Sequence, residues 1–206
     1  YAVAAFPTFA RLYSEGNRLA FLDHVYSALR HIIFWSVPTI ALFVVIRAQI
    51  VRVILGSGAF DWNDTRLTAA VLALFIISLS AQSVHNLIVR AYYAAGHSRI
   101  PLVVTAVSSV GIIAVSGVMY FLYWHSPMFA SALRATFRVE DIPGTEVLVL
   151  PLAFSLVFIT HSIVLTVLFV RQYGTGGVSD IRRVSIQALG AGFTLAATSY
   201  TALNAL

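Results

Sequence analysis

The chain has 206 residues, of which 59% are hydrophobic and only 10% charged, and its mean hydropathy is +0.87. A soluble domain carries about 25% charged residues, so a water-soluble globular enzyme is all but excluded, and the lack of Cys removes disulfides, thiolate catalysis and Cys-ligated metals. The net charge is +5 and all thirteen basic residues are Arg; they stand at the ends of apolar runs, which points to anionic lipid headgroups rather than nucleic acid.

Residues 1–10 are apolar with no basic stretch before them, so they read as the end of a span rather than a signal peptide. Residues 11–30 are amphipathic, with Leu12, Leu19, Leu22, Tyr26 and Leu29 at helical spacing, and predict a cytoplasmic helix lying on the membrane surface. Spans follow at 31–55, 67–92, 100–124, 147–171 and 184–206, each near the roughly 20 residues a bilayer crossing needs. Within the first, Pro38 predicts a kink, and Arg47 and Arg52 predict an interfacial half-helix over 47–55 whose side chains reach the headgroups. The expected fold is an all-α, polytopic integral membrane protein with about five spans plus the end of a sixth. A chain that starts and stops in apolar segments reads as an excerpt from a larger membrane protein.

The connections are a Gly- and Asp-rich turn at 56–66, a turn at 94–99 with Gly96 placed to end a helix, a long loop at 125–146, and a flexible link at 173–183 containing Gly174, Gly176 and Gly177. On one side lie Arg11, Arg18, Arg30, Arg90, Arg99, Arg171, Arg182 and Arg183; on the other lie Arg66, Arg134 and Arg138, joined by Arg47 and Arg52. The Arg-rich side is expected to be cytoplasmic.

Polar residues inside spans are the candidates for function. Ser78, Gln82 and His85 are four and three residues apart and form one stripe, with Asn86 beside it. The stripe either hydrogen-bonds to neighbouring helices or walls a wet cavity that touches a polar substrate. His85 alone suits a packing role, while the near-neutral pKa of imidazole leaves proton carriage open. Thr105, Ser108, Ser109 and Ser116, with Gly111 and Gly117, suggest close helix packing in the third span; Ser155, Ser162 and Thr166, with His161 beside them, suggest the same in the fourth. Arg90 sits about one and a half turns beyond His85 and can guard the inner mouth of the stripe. Arg99, Arg47, Arg52 and Arg30 read as membrane anchors or as groups that attract an anionic substrate. No catalytic constellation is present: no metalloprotease helix, phosphate loop or nucleophile elbow, and no carboxylate pair within a span. His24 and His31 have no carboxylate or Cys partner and make a weak metal case. No metal or cofactor is expected.

Three stretches carry a resemblance. Ala5-Phe6-Pro7-Thr8-Phe9-Ala10-Arg11 looks like the end of a family's eighth span. The run from Ile50 to Asp61, followed by Asp64-Thr65 and Thr68-Ala69, is similar to its I-V-x-x-L-F-x-x-G-x-F segment and D-T-x-x-T-A continuation. Arg90-Ala91-Tyr92-Tyr93-Ala94-Ala95-Gly96-His97-Ser98-Arg99-Ile100-Pro101 resembles R-A-F-Y-A-L-G-D-T-R-T-P. In this order, with spans between them, they resemble the MurJ/MviN family of lipid II flippases, in the multidrug/oligosaccharidyl-lipid/polysaccharide exporter superfamily. The resemblance covers essentially the whole chain and implies the carboxy-terminal lobe of a two-lobe exporter, running from the end of the eighth span to most of the thirteenth.

What the resemblance implies is a bacterial inner-membrane transporter, not an enzyme. It would move a lipid-linked peptidoglycan precursor, lipid II or a similar polyprenyl-diphosphate glycolipid, from inner to outer leaflet by alternating access. An amino-terminal lobe of the same chain and membrane lipids would be its partners. An Arg-lined cavity suits a diphosphate, because guanidinium binds phosphate oxygens bidentately. This chain departs from many relatives at Ile112 and Ser116, where they carry Asn that helps to bind sodium, and at His97, where they carry Asp. The rival readings are an exporter of O-antigen or another polyprenyl-linked polysaccharide, and a non-transporting membrane scaffold with the same fold.

Overall fold

The computed structural model describes residues 2–56, 58, 60–174 and 178–204, with side chains at all of these except 2, 178–183 and 202–204. Gly176, Gly177 and the side chains of Arg182 and Arg183, which figure in the expected link and in the Arg count, lie outside the described residues. The described elements are helical: α1 (Ala2–Ser14), α2 (Arg18–Leu55), α3 (Trp62–Ala94), α4 (Arg99–His125), α5 (Pro127–Phe137), a 3-10 turn (Thr145–Leu148), α6 (Val149–Tyr173) and α7 (Val178–Asn204). The all-α membrane fold follows.

Among the described residues, four segments are both long and apolar enough to cross a bilayer: α2, α3, α4 and Thr145–Tyr173. With 27 residues, α7 also reaches a spanning length at about 1.5 Å per residue. Its apolar run is diluted by Gln187, Thr194, Thr198, Ser199 and Thr201, so the expected span at 184–206 rests on length and on packing against α2.

Several element boundaries differ from those expected. No separate surface helix occupies 11–30: α1 runs on to Ser14, and the chain turns at Gly16 (φ 74°) and Asn17. There the amide of Asn17 donates to the Leu12 carbonyl at 3.1 Å and that of Gly16 to Tyr13 at 3.1 Å, a helix stop that requires the left-handed conformation glycine adopts freely. The Asn17 side chain then accepts from the Ala20 amide and opens α2. No break follows at 30–31 or at 47, so surface helix, span and half-helix form one 38-residue helix that carries Pro38 within it. Tyr26 and Leu29 of the expected apolar stripe are buried, but Leu19 is 83% exposed. The loop expected at 125–146 contains α5. Ser126 caps this helix by accepting from the Phe129 amide, and Pro127 occupies its first turn, where a missing N–H costs nothing.

The helices stand side by side in the order α7, α2, α3, α6, α4, with α1 against α2 and α3. Two apolar clusters close the bundle at opposite ends. One joins α1 and the start of α2 to the ends of α3 and α6 through Phe9, Phe21, Val25, Tyr26, Leu87, Tyr92, Leu165 and Phe169. The other joins the starts of α3 and α6 to the end of α4 and the α5 region through Leu74, Tyr123, Leu133, Val139, Leu148 and Val149. Sharing both ends in this way, α3 and α6 run in the same direction, and their middles meet between the clusters.

Candidate functional site

Between the two clusters the polar side chains of three helices converge. Ser108 Oγ on α4 lies 2.5 Å from His161 Nδ1 on α6, and His161 Nε2 lies 2.7 Å from His85 Nδ1 on α3. The two imidazole centroids are 4.5 Å apart, and Phe158 packs against both rings. His161 is buried, while Ser108 and His85 are half-buried. The sequence places these residues 23, 53 and 76 positions apart (from the numbers 85, 108 and 161), so only the fold reveals the chain they form.

Ser108 and His161 also line a groove of about 460 Å³ between α4 and α6, otherwise walled by Val103, Val107, Leu156, Val164 and their neighbours. A second groove, of about 430 Å³, lies where Ile33, Ser80, Val84, Ser162 and Thr166 meet. Both are mostly apolar, with three polar side chains each (Ser108, Thr160 and His161 in the first, Ser80, Ser162 and Thr166 in the second), the usual make-up of a small-molecule pocket.

The predicted stripe divides. His85 enters the three-helix chain. Gln82 Nε2 donates to Ser78 Oγ at 3.0 Å, and Ser78 Oγ donates to the Phe75 carbonyl at 2.8 Å. Ser78 is fully buried, so in this conformation the lower part of the stripe is satisfied within α3. A neighbouring interhelical bond, Ser155 Oγ to the Leu74 carbonyl at 2.7 Å, fastens α6 to α3. Thr105 and Ser109 of the expected packing face in α4 are exposed, with Ser109 Oγ donating to the Thr105 carbonyl; Ser108 alone of the three reaches α6.

The candidate Arg residues do not converge. Arg90 is half-buried and Arg99 exposed, on either side of a Gly96 helix stop. Arg47 folds onto its own helix and donates to the Val44 carbonyl at 2.6 Å. The Arg52 guanidinium lies 5.5 Å from the centre of the Trp62 ring, a cation–π geometry. Arg30 borders a small groove with Phe34, Trp35 and Val184.

Sequence reasoning passed over the polar cluster on the α5 side. Arg134 Nε and Nη2 donate to the Tyr123 hydroxyl at 2.9 and 2.7 Å, and that hydroxyl is 2.6 Å from Thr145 Oγ1. With two donors already on its oxygen, Tyr123 donates onward to Thr145. Nearby, Arg66 donates bidentately to Asp141 at 2.7 and 2.8 Å and also to the Arg138 carbonyl. The hydrogen bonds from Arg66 hold the Asp141 carboxyl below the usual carboxylate range. The start of α3 that presents Arg66 is fixed by a reciprocal cap between Asp61 and Asp64. Asp, Arg and Tyr residues spread over α3, α4, α5 and the loop after it have no spacing that would mark them in the sequence.

The described residues contain no group of three or more His, Asp or Glu able to hold a metal ion. The chain is 24% identical over 96 residues to a protein of Thermosipho africanus named "Lipid II flippase MurJ", covering 47% of this chain and 20% of that one. It is 26% identical over 131 residues to a "Probable lipid II flippase MurJ" of Thermotoga maritima, covering 64% of this chain and 26% of that one. It thus spans about a fifth to a quarter of the length of these curated relatives. No solved structure matches it. The family model described as "Lipid II flippase MurJ" matches residues 1–205, and the chain belongs to that family.

Proposed function

We propose that this chain is the carboxy-terminal transmembrane lobe of a flippase that moves lipid II from the inner to the outer leaflet by alternating access, for cell-wall synthesis. The observation that carries the reading is the family match across residues 1–205. It is supported by a bundle in which polar side chains of α3, α6 and α4 meet between the helices, as side chains along the path of a polar substrate would. An amino-terminal lobe of the same protein would complete the cavity, and no enzymatic step is involved.

In this reading the ends of α1 and α3 and the start of α4 face the bacterial cytoplasm, and α5 with its loop faces outward. Arg90 offers the diphosphate a cationic approach beside the inner mouth, and Arg99, Arg30, Arg47 and Arg52 anchor the bundle to headgroups. Impermeant thiol labelling of intact cells checks the orientation: Cys at Ser14 should be protected, and Cys at Asn63 and Thr136 should be labelled. The opposite pattern inverts the topology.

The function is tested with the full-length protein in liposomes, where lipid II delivered to one leaflet is scored by an enzyme that cuts it only on the other. Transfer above that of empty liposomes supports the reading. Transfer of an O-antigen-type lipid-linked glycan but not lipid II would replace it with the related exporter, and transfer of neither with the scaffold. Arg90→Ala should slow transfer; if Arg90→Lys restores it, charge suffices and the bidentate fork is not required.

A further inference from the structure

We propose that His85 and His161, closed off by Ser108, form a site for a single proton that ties α3, α6 and α4 together. The argument rests on donors and acceptors. A neutral imidazole has one donor nitrogen and one acceptor nitrogen, and an imidazolium has two donors. In the chain Ser108–His161–His85 both nitrogens of His161 and one nitrogen of His85 are engaged. Nε2 of His85 is the end not used by the chain.

In one neutral arrangement His85 Nδ1–H donates to His161 Nε2, and His161 Nδ1–H donates to Ser108 Oγ. A proton arriving from water then adds to the lone pair of His85 Nε2 and breaks no hydrogen bond. The charge can pass along the chain: the Nδ1 proton of His85 moves across 2.7 Å to His161 Nε2, leaving His161 as the imidazolium that donates to both Ser108 Oγ and His85 Nδ1. No other reactant is needed, and the balance is one proton taken up. A second proton would place an N–H on each of the facing nitrogens, and the contact between α3 and α6 would be lost. The geometry therefore accepts one proton and rejects two.

The surroundings leave this pair on its own. From α3 it has Gln82 and Asn86 as polar neighbours in sequence, and from α6 the Phe158 ring. From α4 come Ser108 and the Val104 carbonyl. Among the described residues, His161 is the one titratable group acting on the His85 ring. The Arg residues of the same helices lie well along them, Arg90 five positions from His85, Arg171 ten from His161 and Arg99 nine from Ser108 (differences of the residue numbers). On α2, which packs on α3 as well, His31 lines a separate groove with Trp35 and Ser83. His85, where the proton enters, is only half-buried, and at the other end of the chain Ser108 and His161 border the α4–α6 groove. Three helices are thus joined through one titratable link, and its charge can bias their packing whatever the protein carries.

The test is solid-state NMR of the full-length protein in bilayers with 15N-labelled histidine, followed from pH 4.5 to 9, with His85→Gln and His161→Gln as assignment variants. The expected result is one shared titration in which both rings change together, with an N–H···N coupling between them. Loss of either His should abolish that shared titration. Two independent titrations, or none in this range, would overturn the proposal. If neither His variant accumulates in the membrane, Ser108→Ala serves instead: it keeps both rings, and the pair should still titrate as one with a displaced midpoint. Independent ring signals there would overturn the proposal equally.

Discussion

α3 and α4 are similarly apolar, yet the structure treats them in opposite ways. On α3, eleven residues are buried, among α1, α2, α6 and the α4–α5 end of the bundle. On α4 only Pro101 and Tyr123 are buried, and Leu102, Val107, Val110, Ile113 and Phe121 are open. In water such a difference would be visible as amphipathicity. In a bilayer it is not, because lipid tails are as apolar as leucine and no hydrophobic force sorts one face from another. What distinguishes the helices is where small and polar residues sit. Ala69, Ala70, Ala73 and Ala91 let neighbours approach α3 closely, whereas α4 touches α6 along a line marked by Ser108 and Gly111.

The largest expected effect tests this contrast directly. Leu87→Ala removes a fully buried side chain and should lower stability by about 2 kcal/mol or more, since the cavity remains even when the reference solvent is lipid. Val110→Ala, at a site 67% exposed, should change it by less than about 0.5 kcal/mol. Reversible unfolding in bicelles measures both. Equal losses would mean that the outer face of α4 is covered in the full-length protein.

Next in size is the fastening that holds α4 at its far end. Tyr123→Phe deletes the hydroxyl that accepts from Arg134 and donates to Thr145, leaving buried Thr145 without that partner. The expected loss is about 1–3 kcal/mol, read as a lower unfolding midpoint in the same bicelles. No loss would show that α4 is held by its contact with α6 alone.

How far the contrast was legible beforehand differs between fold and site. Uncharged runs located α3, α4 and α6 to within a few residues, because a span must be apolar whatever it touches. The fusion within α2 was missed because Arg30 and His31 look like a boundary but break nothing, whereas Gly16-Asn17 stops a helix by backbone geometry. In α5 the helix start is marked by Ser126 as cap and Pro127 in the first turn, inside a stretch whose mixed charge reads as a loop. At the site, Ser78, Gln82 and His85 were identifiable as unusual, but which of them faced inward depended on where α6 lay. His161 and Ser108 were visible only as packing residues, since the pairing of one span with another leaves no trace in the spacing within either.

A smaller effect sharpens the same point. Cys at Ser108, on the α4–α6 groove, should react several-fold faster with a small water-soluble thiol reagent than Cys at fully buried Ser78. Rapid reaction at Ser78 would mean that the stripe opens to water in another conformation, as an alternating-access cycle would require.

The smallest effect concerns the exposed pair that links the start of α3 to the loop after α5. The folded-state pKa of Asp141 is depressed by its hydrogen bonds from Arg66. A carboxylate of this kind contributes stability above its unfolded pKa, about 3.9, and loses it as the pH falls through the lower folded value. The stability difference between the native protein and Asp141→Asn should therefore stay flat from about pH 8 to pH 5 and shrink only below about pH 4. Both partners reach solvent, with 27% of the Arg66 side chain and 65% of the Asp141 side chain exposed, so the difference should be small and fall further with added salt. A difference that vanished near pH 6 would show that the hydrogen bonds between Arg66 and Asp141 are not what sets it.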